Sequence, residues 1–361
     1  MEKRKSQSSS AGAEVSGTFI IIVMAALALL VAVIIALSIF IWGGASDNGG
    51  DVAQTTTGNE EQPSVPAGSN TTPLFPTNET RDSYKITRSE NVVTLLGSDF
   101  IKSNNTILVK VGADSLTSIV EKNADTKMYP ASMTKVMTLI VACERVTDLD
   151  EKLTVTAEIA DFAEKQGGSG AGLRVDESYT VEDLLYLISY QSDTIAAILI
   201  AEHIAGSESA FVELMNVKAA EMGLSGTHFA NCTGLYDENN YSTCRDIASI
   251  MAYALDNELA YKCLSSYSGR KMSVGGVDCT FYSGWYSGKD RFRDNPRLNT
   301  VTVKAAKTGY IDESGISLVS YAVGKDGTKY INVIVGLPKG SGLSESMSTA
   351  EVKKIYNTYA K

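Results

Sequence analysis

The sequence predicts an α/β domain whose antiparallel sheet is built from both ends of the folded region, with a helical region inserted between them. Three observations carry this. Runs of β-branched residues with strand character cluster around residues 106–120 and again around 315–335, the stretch between them holds apolar residues at helical spacing, and no internal repeat divides it.

Of the 361 residues, the first to be read are not part of that domain. Lys3, Arg4 and Lys5 precede an almost unbroken apolar run from Thr18 to Trp42. As a helix rising about 1.5 Å per residue, the run covers the roughly 30 Å hydrocarbon core of a bilayer. It exceeds the about 7–15 apolar residues of a cleaved signal peptide, although Gly43-Gly44-Ala45-Ser46 resembles a cleavage site. The expectation is a single-pass signal anchor at 18–42, with the basic tail 1–17 in the cytoplasm and everything after Trp42 outside. Residues 43–83, rich in Gly, Thr, Asn, Pro and acidic side chains, bury too little apolar surface to order themselves and read as a flexible extracytoplasmic linker. That leaves 84–361 as one domain.

Within it, Thr106–Val111 and Ser118–Val120 flank a Gly112 turn and predict a hairpin. Helices are expected over 133–147, 181–205, 208–223 and 244–257. Gly315–Val323 and Lys329–Val335, around Gly324–Gly327, predict a second hairpin, and Met347–Tyr359 a closing helix.

A net charge of −10 and a pI near 4.9 argue against nucleic acid as a partner. The five cysteines are too few for a disulfide scaffold; Cys143 reads as a core residue, and a Cys232–Cys244 bridge stays open. With only His203 and His228, neither a zinc site nor a Ser-His-Asp triad is supported, and no spacing calls for a cofactor.

Chemistry enters at Tyr129-Pro-Ala-Ser-Met-Thr-Lys135. Ser132 and Lys135 lie three apart at the start of a helix and so share a face, where a lysine with suppressed charge can take the hydroxyl proton. The pair alone is ambiguous, since serine is a good N-cap and Ser268-Gly-Arg-Lys271 repeats the pattern. Three later stretches bear on it. Ser192-Asp193-Thr194 interrupts two apolar helical segments and places a hydroxyl for proton relay. Lys307-Thr308-Gly309 puts a cation, a hydroxyl and a glycine on a strand that can receive a carboxylate-bearing peptide. Thr233-Gly234-Leu235 reads as structural, with Ser242 or Thr243 capping the next helix.

In that order these elements resemble the serine D-alanyl-D-alanine carboxypeptidases, low-molecular-mass penicillin-binding proteins. The likeness extends to Glu121–Asp125, Tyr129–Ser132, Thr180–Tyr186, Ala201–Gly206, Phe211–Asn216 and Tyr241–Thr243, and covers about 100 to 361. It implies the β-lactamase/penicillin-binding-protein transpeptidase-like fold and a peptidase without metal or cofactor. Ser132 would attack the bond between two D-alanines of a peptidoglycan stem peptide, with Lys135 as base and Ser192 passing a proton to the leaving group. Lys307, Thr308 and Gly309 would receive the terminal carboxylate, the N–H groups of Ser132 and Tyr310 would form the oxyanion hole, and β-lactam antibiotics would acylate the same serine. One position departs: the family's Ser-x-Asn reads Ser192-Asp193-Thr194, and Thr194 lacks the amide for substrate binding. Ser189-Tyr190-Gln191 would restore an amide but breaks the spacing to Asp183 and Glu202. Thr194 keeps open a second reading, a weak or silent binder of cell-wall peptides. A β-lactamase is disfavoured because no Glu-x-x-x-Asn lies between Ser192 and Lys307.

Overall fold

The computed structural model describes residues 84–265, 269–285, 298–338 and 344–360. The anchor 18–42, the linker 43–83 and Ser268 lie outside the described residues. The chain enters with β1 (Ile86–Thr94), β2 (Asn105–Val111) and β3 (Leu116–Lys122), then a 3-10 turn (Ala131–Met133) running into α1 (Thr134–Cys143). The inserted region holds β4 (Lys152–Thr154), α2 (Ala157–Lys165), β5 (Ser178–Thr180), α3 (Val181–Tyr190), α4 (Thr194–Ala205), α5 (Glu208–Glu221), α6 (Cys244–Asp256) and α7 (Glu258–Ser265). After a hairpin of β6 (Arg270–Val274) and β7 (Val277–Phe281) come β8 (Val301–Ile311), β9 (Gly315–Gly324), β10 (Lys329–Leu337) and α8 (Ser344–Tyr359).

The main sheet runs β1-β3-β2-β10-β9-β8, so strands from both ends of the domain meet where β2 pairs with β10, Asn105 opposite Val335. Both expected hairpins form. The expectation of a wholly antiparallel sheet is corrected at one place: β1 and β3 are parallel. The chain turns back between β1 and β2, and β3, antiparallel to β2, slots between them and so runs with β1.

Side chains alternate across the sheet. Ile107, Val109, Val319, Ile331 and Val333 face the inserted helices, while Leu108, Leu318, Tyr330 and Ile334 face the other way, against Val352, Ile355 and Tyr356 of α8. Helices therefore cover both faces, which explains why β9 and β10 read as nearly continuous apolar runs. The elements missed from the sequence are β1, β4, β5, α2, α7 and the β6–β7 hairpin; β4 and β5 have three residues each, and α2 buries only Ile159 and Ala163. Among the described residues no single helix is long and apolar enough to cross a membrane. All five cysteines are free thiols, which closes the option of a Cys232–Cys244 bridge.

Glu351 fastens α8 to the rest of the fold, its carboxylate accepting from the backbone N–H groups of Lys102 (2.6 Å) and Ser103 (2.9 Å). Removing it strands two donors at a largely buried site. We expect Glu351→Ala to cost about 2–4 kcal/mol, read as a lower urea midpoint at unchanged slope.

Candidate active site

Helix α1 is apolar around most of its circumference, and all ten of its residues are buried. Its polar residues are therefore partnered. Thr138 donates to the Cys232 carbonyl at 2.6 Å, and Lys135 donates from Nζ to the Thr233 carbonyl at 2.5 Å. The segment 231–235 is thus laced along α1, and it fixes the position of the Lys135 amine.

Ser132 sits on the 3-10 turn ahead of α1, one helical turn from Lys135. Ala131 before it holds φ +50, a left-handed conformation that costs a non-glycine residue of order 1 kcal/mol and persists only where the surroundings enforce it. Two glycines do so. A Cβ on Gly234 would lie 2.0 Å from the Ala131 carbonyl oxygen, and one on Gly309 would lie 3.1 Å from the Ser132 nitrogen. Gly234 also holds φ +75. Gly234→Ala is therefore strained twice over, and we expect a loss of about 3 kcal/mol in thermal or denaturant unfolding.

Lys307 and Ser192 supply the opposite wall. β8 is an edge strand of the main sheet, with a register shift between Val303 and Ala305. Lys307, only 1% exposed, donates from Nζ to Ser192 Oγ and to its neighbour's carbonyl, Thr308 O, both at 2.9 Å. Ser192 lies between α3 and α4 at φ +54, so the helix expected over 181–205 is broken here, and Asp193 caps α4 by accepting from the Ala196 N–H at 2.9 Å. Of the two serines, Ser192 meets Lys307, whereas Ser189 is buried within α3 with its hydroxyl unpartnered among the described residues.

Thr194 opens α4, is 1% exposed, and turns its side chain towards Gly168. Its hydroxyl has no hydrogen-bond partner among the described residues. The segment Gly168–Ala171 is strapped onto this turn: Ser169 Oγ donates to the Ser192 carbonyl (2.9 Å), Thr194 N–H donates to Ser169 O (2.9 Å), and Ala171 N–H donates to the Asp193 carboxylate (2.6 Å). Thr308 is exposed on the edge strand, and Tyr310, 37% exposed, directs its hydroxyl to Asp312.

Two buried lysines set the electrostatics. Burial brings the Lys135 ammonium down to about 8, against the opposing pull of Cys232, Asp193 and Glu208. Burial, with Lys135 as a like charge, holds Lys307 well below the ordinary range. Asp193 is raised by burial despite the N–H groups it accepts from. The arrangement can activate a hydroxyl: a lysine ready to be neutral stands one turn from a serine, and a second buried lysine is hydrogen-bonded to Ser192.

Sequence reasoning missed the part played by 231–235. Thr233 acts through its backbone carbonyl, which no side chain reports, but Gly234 was a signal of close backbone approach. Thr243 caps α6, as anticipated. His203 lies in the last turn of α4, 3.4 Å from Glu151. Among the described residues no group of three His, Cys, Asp or Glu is placed to hold a metal.

Residues 93–339, well over half of the chain, match the peptidase S11 family profile, described as D-alanyl-D-alanine carboxypeptidase. The D-alanyl-D-alanine carboxypeptidase DacF of Bacillus subtilis is 37% identical over 161 residues, covering 45% of this chain and 40% of that protein. A variant of the Streptomyces K15 DD-transpeptidase superposes with a TM-score of 0.60 at 25% identity, over 71% of this chain and 97% of that one. Penicillin-binding protein 5 of Haemophilus influenzae gives a TM-score of 0.58 at 25% identity, over 72% and 70%. The chain spans about half the length of the curated relatives it matches. It has the mixed α/β fold of the penicillin-binding DD-peptidases, and with Ser132–Lys135, Ser192 and Lys307 gathered around one site, it belongs to the D-alanyl-D-alanine carboxypeptidase family.

Proposed function

We propose that the protein is a serine-type D-alanyl-D-alanine carboxypeptidase that binds penicillins and removes the terminal D-alanine of peptidoglycan stem peptides. The observation that carries this is the pairing of Lys307 with Ser192 at 2.9 Å beside the depressed Lys135, one turn from Ser132. Ser132 Oγ bonds to the carbonyl carbon of the penultimate D-alanine and gives its proton to neutral Lys135. The N–H groups of Ser132 and Tyr310 hold the oxyanion, and Lys307 with Thr308 binds the terminal carboxylate. The C–N bond then breaks as Ser192 delivers a proton to the departing amine, and water cleaves the resulting ester. A β-lactam is opened by the same attack and keeps its leaving group tethered.

The localisation we propose is the cytoplasmic membrane, with residues 18–42 as the anchor and 43–83 as the tether of an extracytoplasmic domain. Retention in the membrane after alkaline extraction is the expected result.

Labelling by a fluorescent penicillin, together with release of D-alanine from a pentapeptide ending in D-Ala-D-Ala, tests the activity. Both are expected; absence of labelling overturns the acyl-enzyme. Thr194, with its hydroxyl unpartnered among the described residues and no amide, favours the second reading of a slow or silent peptide binder, which labelling without release would select.

A further inference from the structure

We propose that the cavity beneath the β2–β3 turn, lined by Tyr84, Tyr261, Tyr321, Asp114, Asp256 and Lys329, is a saccharide-binding site whose ligand is the glycan strand that carries the stem peptides. It stands apart from the catalytic machinery, since none of Ser132, Lys135, Ser192 or Lys307 lines it.

The cavity has a volume of about 480 Å³, inside the range of about 300–1,000 Å³ that accommodates small ligands. One wall is the turn itself, closed where the Gly112 N–H donates to the Ser115 carbonyl at 2.8 Å. β9 and β10 bring Tyr321 and Lys329, and the other wall is the end of α6 with Tyr261 of α7. Tyr84 is held in place from two sides: its ring centroid lies 4.9 Å from that of Tyr253, and its hydroxyl donates to Asp256 Oδ2 at 2.8 Å. Tyr321 is only 8% exposed, yet its hydroxyl has no hydrogen-bond partner among the described residues. Packing alone does not account for that hydroxyl, because phenylalanine would fill the same space without a polar atom to satisfy. Burial, with Tyr261 and Asp256 beside it, pushes the Tyr321 phenol up to about 12, so it stays a donor.

Asp256 is a second feature that stability does not explain. It ends α6, where the partial charge of the helix is itself negative. Tyr84 uses one of its carboxylate oxygens. Among the described residues neither Asp256, Asp114 nor Lys329 is in an ion pair.

This mixture of groups selects the ligand. An organic cation would meet the Lys329 ammonium, and an anion would meet two carboxylates. A neutral ring bearing hydroxyls uses both signs: carboxylates accept from its hydroxyls, the ammonium and the phenol donate to its oxygens, and its C–H face lies on a tyrosine ring. Peptidoglycan presents such rings wherever it presents a stem peptide. A glycan held here keeps the enzyme on the wall between cleavages, so that each new peptide is met at a raised effective concentration. That consequence rests on the carboxypeptidase reading; the saccharide site does not.

The test is calorimetric titration of the full chain in detergent with the N-acetylglucosamine tetramer, before and after acylation by penicillin, joined to co-sedimentation with glycan strands stripped of their peptides. Saturable binding of equal affinity in both states, and sedimentation with the strands, are expected. Tyr321→Phe removes only the unpartnered hydroxyl, and Asp256→Asn keeps an acceptor for Tyr84; each should weaken the tetramer about fivefold to tenfold at an unchanged unfolding midpoint. No binding, or an affinity that neither variant changes, overturns the proposal. Binding that penicillin abolishes places the sugar at Ser132 and overturns it equally. Tighter binding of tetraethylammonium or inorganic phosphate than of the tetramer overturns the ligand class, and a tetramer that binds where stripped strands do not overturns the glycan assignment. Absence of penicillin labelling overturns the carboxypeptidase reading instead, and titration of the untreated protein then decides the saccharide site.

Discussion

Ser132→Ala is expected to remove penicillin labelling altogether and to lower D-alanine release by about 10⁵-fold or more, as loss of a covalent nucleophile does in other serine hydrolases. The fold should be untouched. Ser132 makes one turn ahead of α1, Ala131 and Met133 on either side are fully buried, and alanine adds no atom to that packing. Unfolding midpoints within about 0.5 kcal/mol of the native protein would separate loss of chemistry from loss of structure. Residual labelling of the alanine variant would place the acylated residue elsewhere.

The second large effect belongs to Lys135, where activity and stability should move in opposite directions. As the proposed base it must be neutral, and burial brings it down to about 8, so acylation should rise with pH through about 8 and level off above it. The sign for stability follows from the same shift. The unfolded lysine keeps its proton up to about 10.4, so between 8 and 10.4 the unfolded state binds more protons and stability rises with pH; below 8 both states are protonated and the burial penalty is constant. Lys135→Met removes that penalty while filling similar volume. Acylation should fall by about 10³-fold to 10⁴-fold, the pH step near 8 should vanish, and the midpoint of unfolding at pH 7 should rise or hold. A Met variant that keeps the step would assign it to another group.

Much of this site was legible in the sequence because chemistry constrains side-chain type and order. Ser132, Lys135, Ser192 and Lys307 carry functional groups at their tips, and the structure brings Ser192 and Lys307 into direct contact across 115 residues. The two hairpins and the buried helix α1 were legible for a related reason: a sheet covered on both faces and a helix buried all round leave unmistakable apolar runs. What stayed hidden acts through the backbone. The Thr233 carbonyl, the left-handed Ala131 and Ser192, and the N–H groups that meet Asp193 have no signature in residue type. The parallel β1–β3 pairing was hidden because the direction of a strand is a property of its connections, not of its residues.

The joining of β2 to β10 also has a consequence in time. Asn105 pairs with Val335, so the centre of the sheet is closed by residues far apart in the chain, and Lys307 arrives on β8, after the whole inserted region. Helices of the inserted region can form early from local contacts, but the sheet must wait for a long loop to close. The domain is therefore a late-maturing one: until β8 to β10 exist, Ser132 has Lys135 on the helix that follows it but no second lysine, and the nascent chain should be blind to penicillin until those strands have been made.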